Sequence, residues 1–204
     1  NSGIYLIDKR IVKYLDKQTS LENEIFEKLV KKNQLTGKPY KGSFIDIGTY
    51  SDLKKANHFM KKIWNKPALI LDRDGVLNKD YGYVYKRSDI TWNNKVINLI
   101  KVNNNKKHYV FIITNQSGIG RGYYSEKKVI ELHDWMNSYL IKKGAHIDEF
   151  YYSPYYKYSK KKIYRKNKNL RKPNTGMIKK IIQKWSPNLK KSIYYGDQKL
   201  DFLL

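Results

Sequence analysis

The stretch ALILDRDGVLN (68–78) ends a run of aliphatics in two carboxylates, Asp72 and Asp74, one residue apart and followed by a glycine. Asp is a poor strand former, and two acids this close repel each other unless something positive sits between them. In an extended chain residues i and i+2 point the same way, so the pair can share one pocket. A Mg²⁺ ion, which takes a few carboxylates together with phosphate and water oxygens, would remove the repulsion. Two further polar signals close apolar runs: Thr114-Asn115-Gln116-Ser117 and Gly196-Asp197. Asp197 would supply a carboxylate from another strand. Lys172, in NLRKPNTGM (169–177), offers an ammonium on a loop that Pro173 stiffens.

The elements that must bring these groups together follow from periodicity. ALILD (68–72) and YVFIITN (109–115) are short continuous apolar runs ending in polar residues, as buried parallel strands do. Between them, residues 93–108 carry Val96, Ile97, Leu99, Ile100 and Val102 on a helical face. Residues 125–144 form a second amphipathic helix, capped by Ser125 and stopped by Gly144. A third strand (146–154), a third helix (175–186) and a fourth strand (191–197) complete the alternation. The expected fold is a doubly wound α/β domain with a parallel sheet, its ligands at the carboxyl ends of the strands. It is expected to span 64–204, starting at the short WNKP hinge (64–67) and stopping inside the helix after Asp197.

Composition narrows the partners. The 204 residues hold 42 Lys+Arg against 18 Asp+Glu, a formal net charge of +24, and no cysteine. Disulfides and thiolate-bound zinc are excluded. No run approaches the ~20 apolar residues of a membrane span, and no segment reads as a signal peptide. A cytoplasmic protein without a membrane partner is expected. The charge suits a nucleic-acid binder, but Lys, Asn, Ile and Tyr are abundant throughout, so compositional bias is the preferred explanation. An anionic small molecule is the expected partner, rather than nucleic acid; oligomeric state is left open.

An Asp–x–Asp, a strand-end Thr, a Lys and a later Gly-Asp, in this order, resemble the four-motif pattern of the haloacid dehalogenase (HAD) phosphatases. LDRDGVLNKDYGYV (71–84), ITNQSGIGRGYYS (113–125), RKPNTGM (171–177) and YGDQKLD (195–201) are similar to the small-molecule branch of heptose-1,7-bisphosphate and histidinol-phosphate phosphatases. The resemblance implies a HAD-like Rossmannoid sheet and Mg²⁺-dependent phosphomonoester hydrolysis, with heptose 1,7-bisphosphate the favoured substrate. It makes Asp72 the nucleophile, Asp74 the general acid and base, and Thr114 and Lys172 the groups on the transferring phosphoryl oxygens. Asp72, Asp74 through its carbonyl, and Asp197 match the metal ligands. Arg73, Asp80, Tyr81, Gly82, Tyr83, Asn115, Gln116, Ser117 and Arg171 match substrate contacts, Arg171 forking onto the second phosphate. Histidinol phosphate or another small phosphate ester is the alternative. From a different class, a nucleic-acid-binding or 3′-phosphate-processing protein is the rival.

Two departures stand out. The family commonly carries a Cys/His zinc loop before RKP, whereas Ser153, Tyr155, Tyr156, Lys168 and Leu170 occupy that region here. Zinc is not expected. The loop must be held by its tyrosines or be mobile, and its many like charges favour mobility. The lysine often found directly after the fourth-motif aspartate is Gln198. Among groups with plainer readings, His58, His108, His133 and His146 are expected in surface or core roles. Trp92, Trp135 and Trp185 are expected as core or edge aromatics, and Lys160–162 as a solvated run.

Residues 1–63 resemble the C-terminal part of sugar-1-phosphate nucleotidyltransferases, of the heptose-1-phosphate guanylyl type. The carriers are NSGIYLID (1–8), SLENEIFEKLV (20–30) and FIDIGTYSDLKKAN (44–57). A strand is expected in the first and in residues 44–47, and helices capped by Ser20 and by Thr49 or Ser51. Asp46 matches a metal-holding turn in some relatives. The glycine-rich nucleotide loop is missing, so this part is expected to be incomplete.

Overall fold

The apolar runs pair as buried strands: β1 (Ala68–Leu71), β2 (Tyr109–Asn115), β3 (Glu149–Ser153) and β4 (Ile193–Tyr195) form one parallel sheet in the order β3-β2-β1-β4. Helices α1 (Phe26–Lys31) and α2 (Tyr50–Trp64) precede it. Helix α3 (Asn94–Asn105) links β1 to β2, α4 (Ser117–Arg121) and α5 (Glu126–Lys142) link β2 to β3, and α6 (Gly176–Trp185) links β3 to β4. This is a computed structural model in which residues 3–15 and 20–197 are described; Gln198 lies outside them. Two compact units are present, Asn1–Ala56 and Asn57–Leu204, divided within α2.

Strand alternation sorts the core onto two faces. Leu69, Leu71, Val110 and Ile112 pack with Ile97 and Ile100 of α3 and Leu132, Met136 and Leu140 of α5. Ala68, Ile70, Phe111 and Ile113 pack with Met177 and Ile181 of α6. Helices on both faces make the sheet doubly wound, and Trp92, Trp135 and Trp185 pack at the edges of these clusters. Val102 departs from the expected face of α3 and is half exposed. Each buried aliphatic contributes roughly 1.5–3 kcal/mol.

Register positions the site. Leu71 lies beside Ile112 on one side and Tyr195 on the other. Asp72, Thr114 and Asp197 thus leave the same edge, next to β1, where β4 has joined the side opposite β2. That is the switch point at which doubly wound sheets bind ligands.

In the N-terminal unit, Ser20 caps the helical segment as expected, accepting from the Asn23 N–H at 3.2 Å. The segment begins with a wider turn, Leu21–Ile25, before α1. Thr49 Oγ1 accepts from the Asp52 N–H at 3.2 Å at the start of α2. The strands expected near residues 4–7 and 44–47 do not form. A strand needs a neighbour to take its backbone hydrogen bonds, and the described residues of this unit provide none. Ile4, Leu6, Phe44 and Ile47 are exposed.

Candidate active site

β1 ends by delivering Asp72, 7% exposed, into the carboxyl edge of the sheet. The Asp72 N–H donates to the Tyr195 carbonyl at 2.9 Å, which extends the β1–β4 ladder by one residue. Its Oδ1 accepts from the Arg73 N–H at 2.7 Å, and its Oδ2 is paired with Lys172 Nζ. The Lys172 backbone is fixed by the Asn115 side chain: Lys172 N–H donates to Oδ1 at 3.0 Å, and Nδ2 donates to the Lys172 carbonyl at 3.3 Å. A strand-end amide on β2 thus sets where the lysine's chain runs.

After Asp74 the chain reverses. Gly75 has φ +86°, and its N–H donates to the Asn78 carbonyl at 2.8 Å. A Cβ here would collide with the Asp197 carboxylate. Only glycine meets both the left-handed conformation and the close approach.

The Asp74 carboxylate receives four hydrogen bonds. Arg73 Nε and Asn78 Nδ2 each donate to Oδ1 at 3.0 Å; Arg73 Nη2 and Gln116 Nε2 donate to Oδ2 at 2.8 and 2.9 Å. Gln116 Nε2 also donates to Thr114 Oγ1 at 2.9 Å, and the buried Tyr124 hydroxyl donates to Gln116 Oε1 at 2.9 Å. Burial pushes the Tyr124 phenol up to about 12, so it stays a donor at neutral pH.

These groups border a pocket of about 390 Å³, lined by Asp72, Asp74, Thr114, Lys172 and Arg171 among others. Arg171 Nη1 is buried with no hydrogen-bond partner among the described residues. An uncompensated buried donor is costly, and a cation so placed suits an anion. A larger cleft, about 740 Å³, runs along β3 and α6. It holds none of the strand-end acids. Its own carboxylates are taken up: Glu126 by the Tyr152 and Tyr164 hydroxyls, Glu149 by Tyr151, Lys184 and Trp185.

The family whose model matches residues 69–199 is described as polynucleotide kinase 3 phosphatase. The D-glycero-beta-D-manno-heptose-1,7-bisphosphate 7-phosphatase of Rhodopseudomonas palustris is 39% identical over 136 residues, 67% of this chain and 76% of the relative. The chain belongs to the heptose-bisphosphate phosphatase family of the HAD superfamily. The alpha-anomer 7-phosphatase of Photorhabdus laumondii is 40% identical, covering 64% of this chain and 72% of its own. The D,D-heptose 1,7-bisphosphate phosphatase of B. bronchiseptica, solved with magnesium and phosphate, superposes with a TM-score of 0.59 at 26% identity. That match covers 67% of this chain and 73% of the other.

Of the residues picked out in the sequence of this HAD-family chain, Asp72, Asp74, Asp80, Gly82, Tyr83, Thr114, Asn115, Gln116, Ser117, Arg171 and Lys172 line one pocket. Asp197 stands against Gly75. Two side chains need correction as substrate contacts. Arg73 has no exposed surface and its guanidinium is engaged by protein groups alone. Tyr81 does not line the pocket; its hydroxyl is shared with Thr91 at 3.2 Å. Asn78 and Tyr124 lie inside the quoted motifs but have no expected role there, and His133, expected as a surface or core group, is buried. Their job is hydrogen bonding to the groups behind the pocket, which no spacing announces.

The loop before Arg171 is built from tyrosines. The Tyr156 N–H donates to the Tyr164 carbonyl at 3.0 Å, the Arg121 guanidinium stacks 4.0 Å from the Tyr156 ring, and Pro154 and Tyr156 press on Gly120. Aromatic rings and the Glu126 acceptor give this loop contacts that set packing against the lysine repulsion.

Among the described residues no helix is long and apolar enough to cross a membrane, and no cluster of three His, Cys, Asp or Glu side chains is set to hold a metal. The Asp74 carboxylate is turned to Arg73, Asn78 and Gln116 instead.

Proposed function

We propose that the chain hydrolyses the 7-phosphate of D-glycero-D-manno-heptose 1,7-bisphosphate through an aspartyl-phosphate on Asp72. The observation that carries the reading is the pairing of Asp72 with Lys172 in one pocket with Arg171, whose buried Nη1 has no partner among the described residues. One cation serves the transferring phosphoryl group and the other the phosphate that stays. Names borne by relatives at 39% and 40% identity support the substrate; they differ in anomer and leave that choice to experiment.

In this mechanism Asp72 attacks phosphorus and the sugar oxygen departs with a proton from Asp74. Thr114 and Lys172 hold the phosphoryl oxygens as charge shifts onto them. Asp74 then takes a proton from the water that attacks the acyl phosphate, releasing inorganic phosphate and regenerating Asp72. The donor set fits a hard cation: the Asp72 carboxylate, the Asp74 carbonyl and the Asp197 carboxylate that the missing Gly75 side chain admits. The pocket lining has three carboxylates, Asp72, Asp74 and Asp80, against Arg171 and Lys172, too little positive charge for a phosphate dianion. Mg²⁺ held by these oxygens would supply the missing charge.

The description of the matched family, together with the +24 charge, favours one rival: removal of a 3′-phosphate from a polynucleotide. Phosphate release should be measured from heptose 1,7-bisphosphate, histidinol phosphate and a 3′-phosphorylated oligonucleotide, using chelator-treated protein with Mg²⁺ restored. Preference for the heptose ester by kcat/KM, dependent on Mg²⁺, is the expected result. Preference for the oligonucleotide, with steep loss of binding as salt rises, would replace this reading.

We further infer that residues 1–63 are the end of a sugar-1-phosphate nucleotidyltransferase domain. Their three family-like stretches and the exposed Ile4, Leu6 and Phe44 support it. Nucleotidyl transfer to heptose 1-phosphate by the product of the entire gene is the test; absence of transfer with every nucleoside triphosphate refutes it.

A further inference from the structure

His133 lies on α5, 4% exposed, with its ring stacked on Phe150 at 4.5 Å and edge-on to Tyr152 at 5.9 Å. Its Nε2 is 3.2 Å from Arg73 Nη1. A guanidinium only donates, so Nε2 must be the acceptor and the ring proton resides on Nδ1. Burial first, and the Arg73 charge second, hold the histidine pKa well below its ordinary value, which keeps the ring neutral. Arg73 is sealed behind the pocket, with Nη1 on His133, Nη2 on the Val84 carbonyl (2.6 Å) and Asp74 Oδ2, and Nε on Asp74 Oδ1.

We propose that His133 is a positioning residue for leaving-group protonation, fixing the Arg73 guanidinium and through it the Asp74 carboxylate. The inference rests on Asp74 being the general acid. A planar fork transmits its own orientation to the carboxylate it grips. Val84 and His133 anchor that plane from behind. Without the imidazole acceptor, Nη1 is left buried and unpaired, and the guanidinium tilts to find another partner. Misplacement of about 1 Å at a reacting group can cost roughly a hundredfold in rate.

His133→Phe keeps a ring against Phe150 and removes the acceptor; His133→Gln returns an acceptor in Oε1. Both are compared with the parent on heptose 1,7-bisphosphate, whose alkoxide must be protonated, and on p-nitrophenyl phosphate, whose phenolate leaves unaided. The quantity read is kcat/KM, which reports the steps through leaving-group release. For His133→Phe the sugar phosphate should lose about ten- to a hundredfold and the aryl phosphate under about threefold, with His133→Gln regaining most of the loss. Proportional loss on both substrates, or no loss on the sugar phosphate, overturns the proposal. Failure of the substrate reading appears in the parent, failure of this inference only in the parent-to-variant ratio. A readout free of turnover is the Arg73 Nε–H resonance. It should exchange slowly in the parent and His133→Gln and quickly in His133→Phe; slow exchange in all three contradicts the proposal.

Discussion

Arg73 grips Asp74 with a two-pronged fork, Nε to Oδ1 at 3.0 Å and Nη2 to Oδ2 at 2.8 Å, from a position with no exposed surface. The pair makes the Asp–x–Asp motif a self-supporting unit: the residue between the two acids is the support of the second. It also accounts for an arginine rather than a lysine, since one ammonium cannot hold both oxygens in a plane.

Arg73→Gln should therefore destabilise the fold. Breaking a buried ion pair leaves Asp74 and the His133 acceptor without their partner, at a cost of about 3–5 kcal/mol. Denaturant unfolding monitored by Trp fluorescence measures it; a loss below about 1 kcal/mol would mean the fork is replaced by water at little cost.

His133 gives stability a pH dependence whose sign is fixed. Its folded pKa lies well below the unfolded value of 6.5, through burial and then Arg73. The contribution is fully present above about pH 7. Below 6.5 the unfolded chain takes up a proton that the folded chain refuses, so stability falls by up to about 1.4 kcal/mol per pH unit until the folded pKa is reached. Chemical denaturation from pH 7.5 to 5 should show this slope in the parent and a shallower one in His133→Gln. Equal slopes would show that other groups carry it.

The proposed partner of Arg171 is the phosphate that stays. Arg171→Ala should raise KM for the bisphosphate about ten- to a hundredfold, the worth of a charge-assisted contact, and leave monophosphate esters nearly unchanged. Equal effects on both would move Arg171 to the transferring group.

The tyrosine loop should be ordered before any substrate arrives. Hydrogen exchange is expected to find the amides of Tyr156, Ser159 and Leu170, each bonded to a carbonyl of the same loop at 2.9–3.1 Å, protected in the free protein. Exchange as fast as in an unstructured peptide would return the loop to the mobile state its charge suggests.

Much of this was legible because periodicity and strand ends are local. Runs such as Ala68–Leu71 read as buried strands, and the acids at their ends pointed to a site. Roles that depend on where a side chain turns were not. Arg73 and Tyr81 sit in the motif like their neighbours, yet one faces the core and the other Thr91. Asn115 reads as a substrate group, but its amide holds the Lys172 backbone. His133 lies 60 residues from Arg73, and only the packing of α5 on the sheet joins them. The expected strands near residues 4–7 and 44–47 failed for a related reason, since pairing is not a property of one segment.

The central claim is that Asp72 carries the phosphoryl group. Parent protein and Asp72→Asn should be incubated with ³²P-labelled substrate and Mg²⁺, quenched in acid, and digested for mass analysis. The parent is expected to yield phosphate on the peptide containing Asp72, labile to hydroxylamine as acyl phosphates are. Asp72→Asn should yield none and lose about a thousandfold or more in kcat. Turnover by the parent with no trapped acyl phosphate, together with an Asp72→Asn variant that still turns over, would contradict the account.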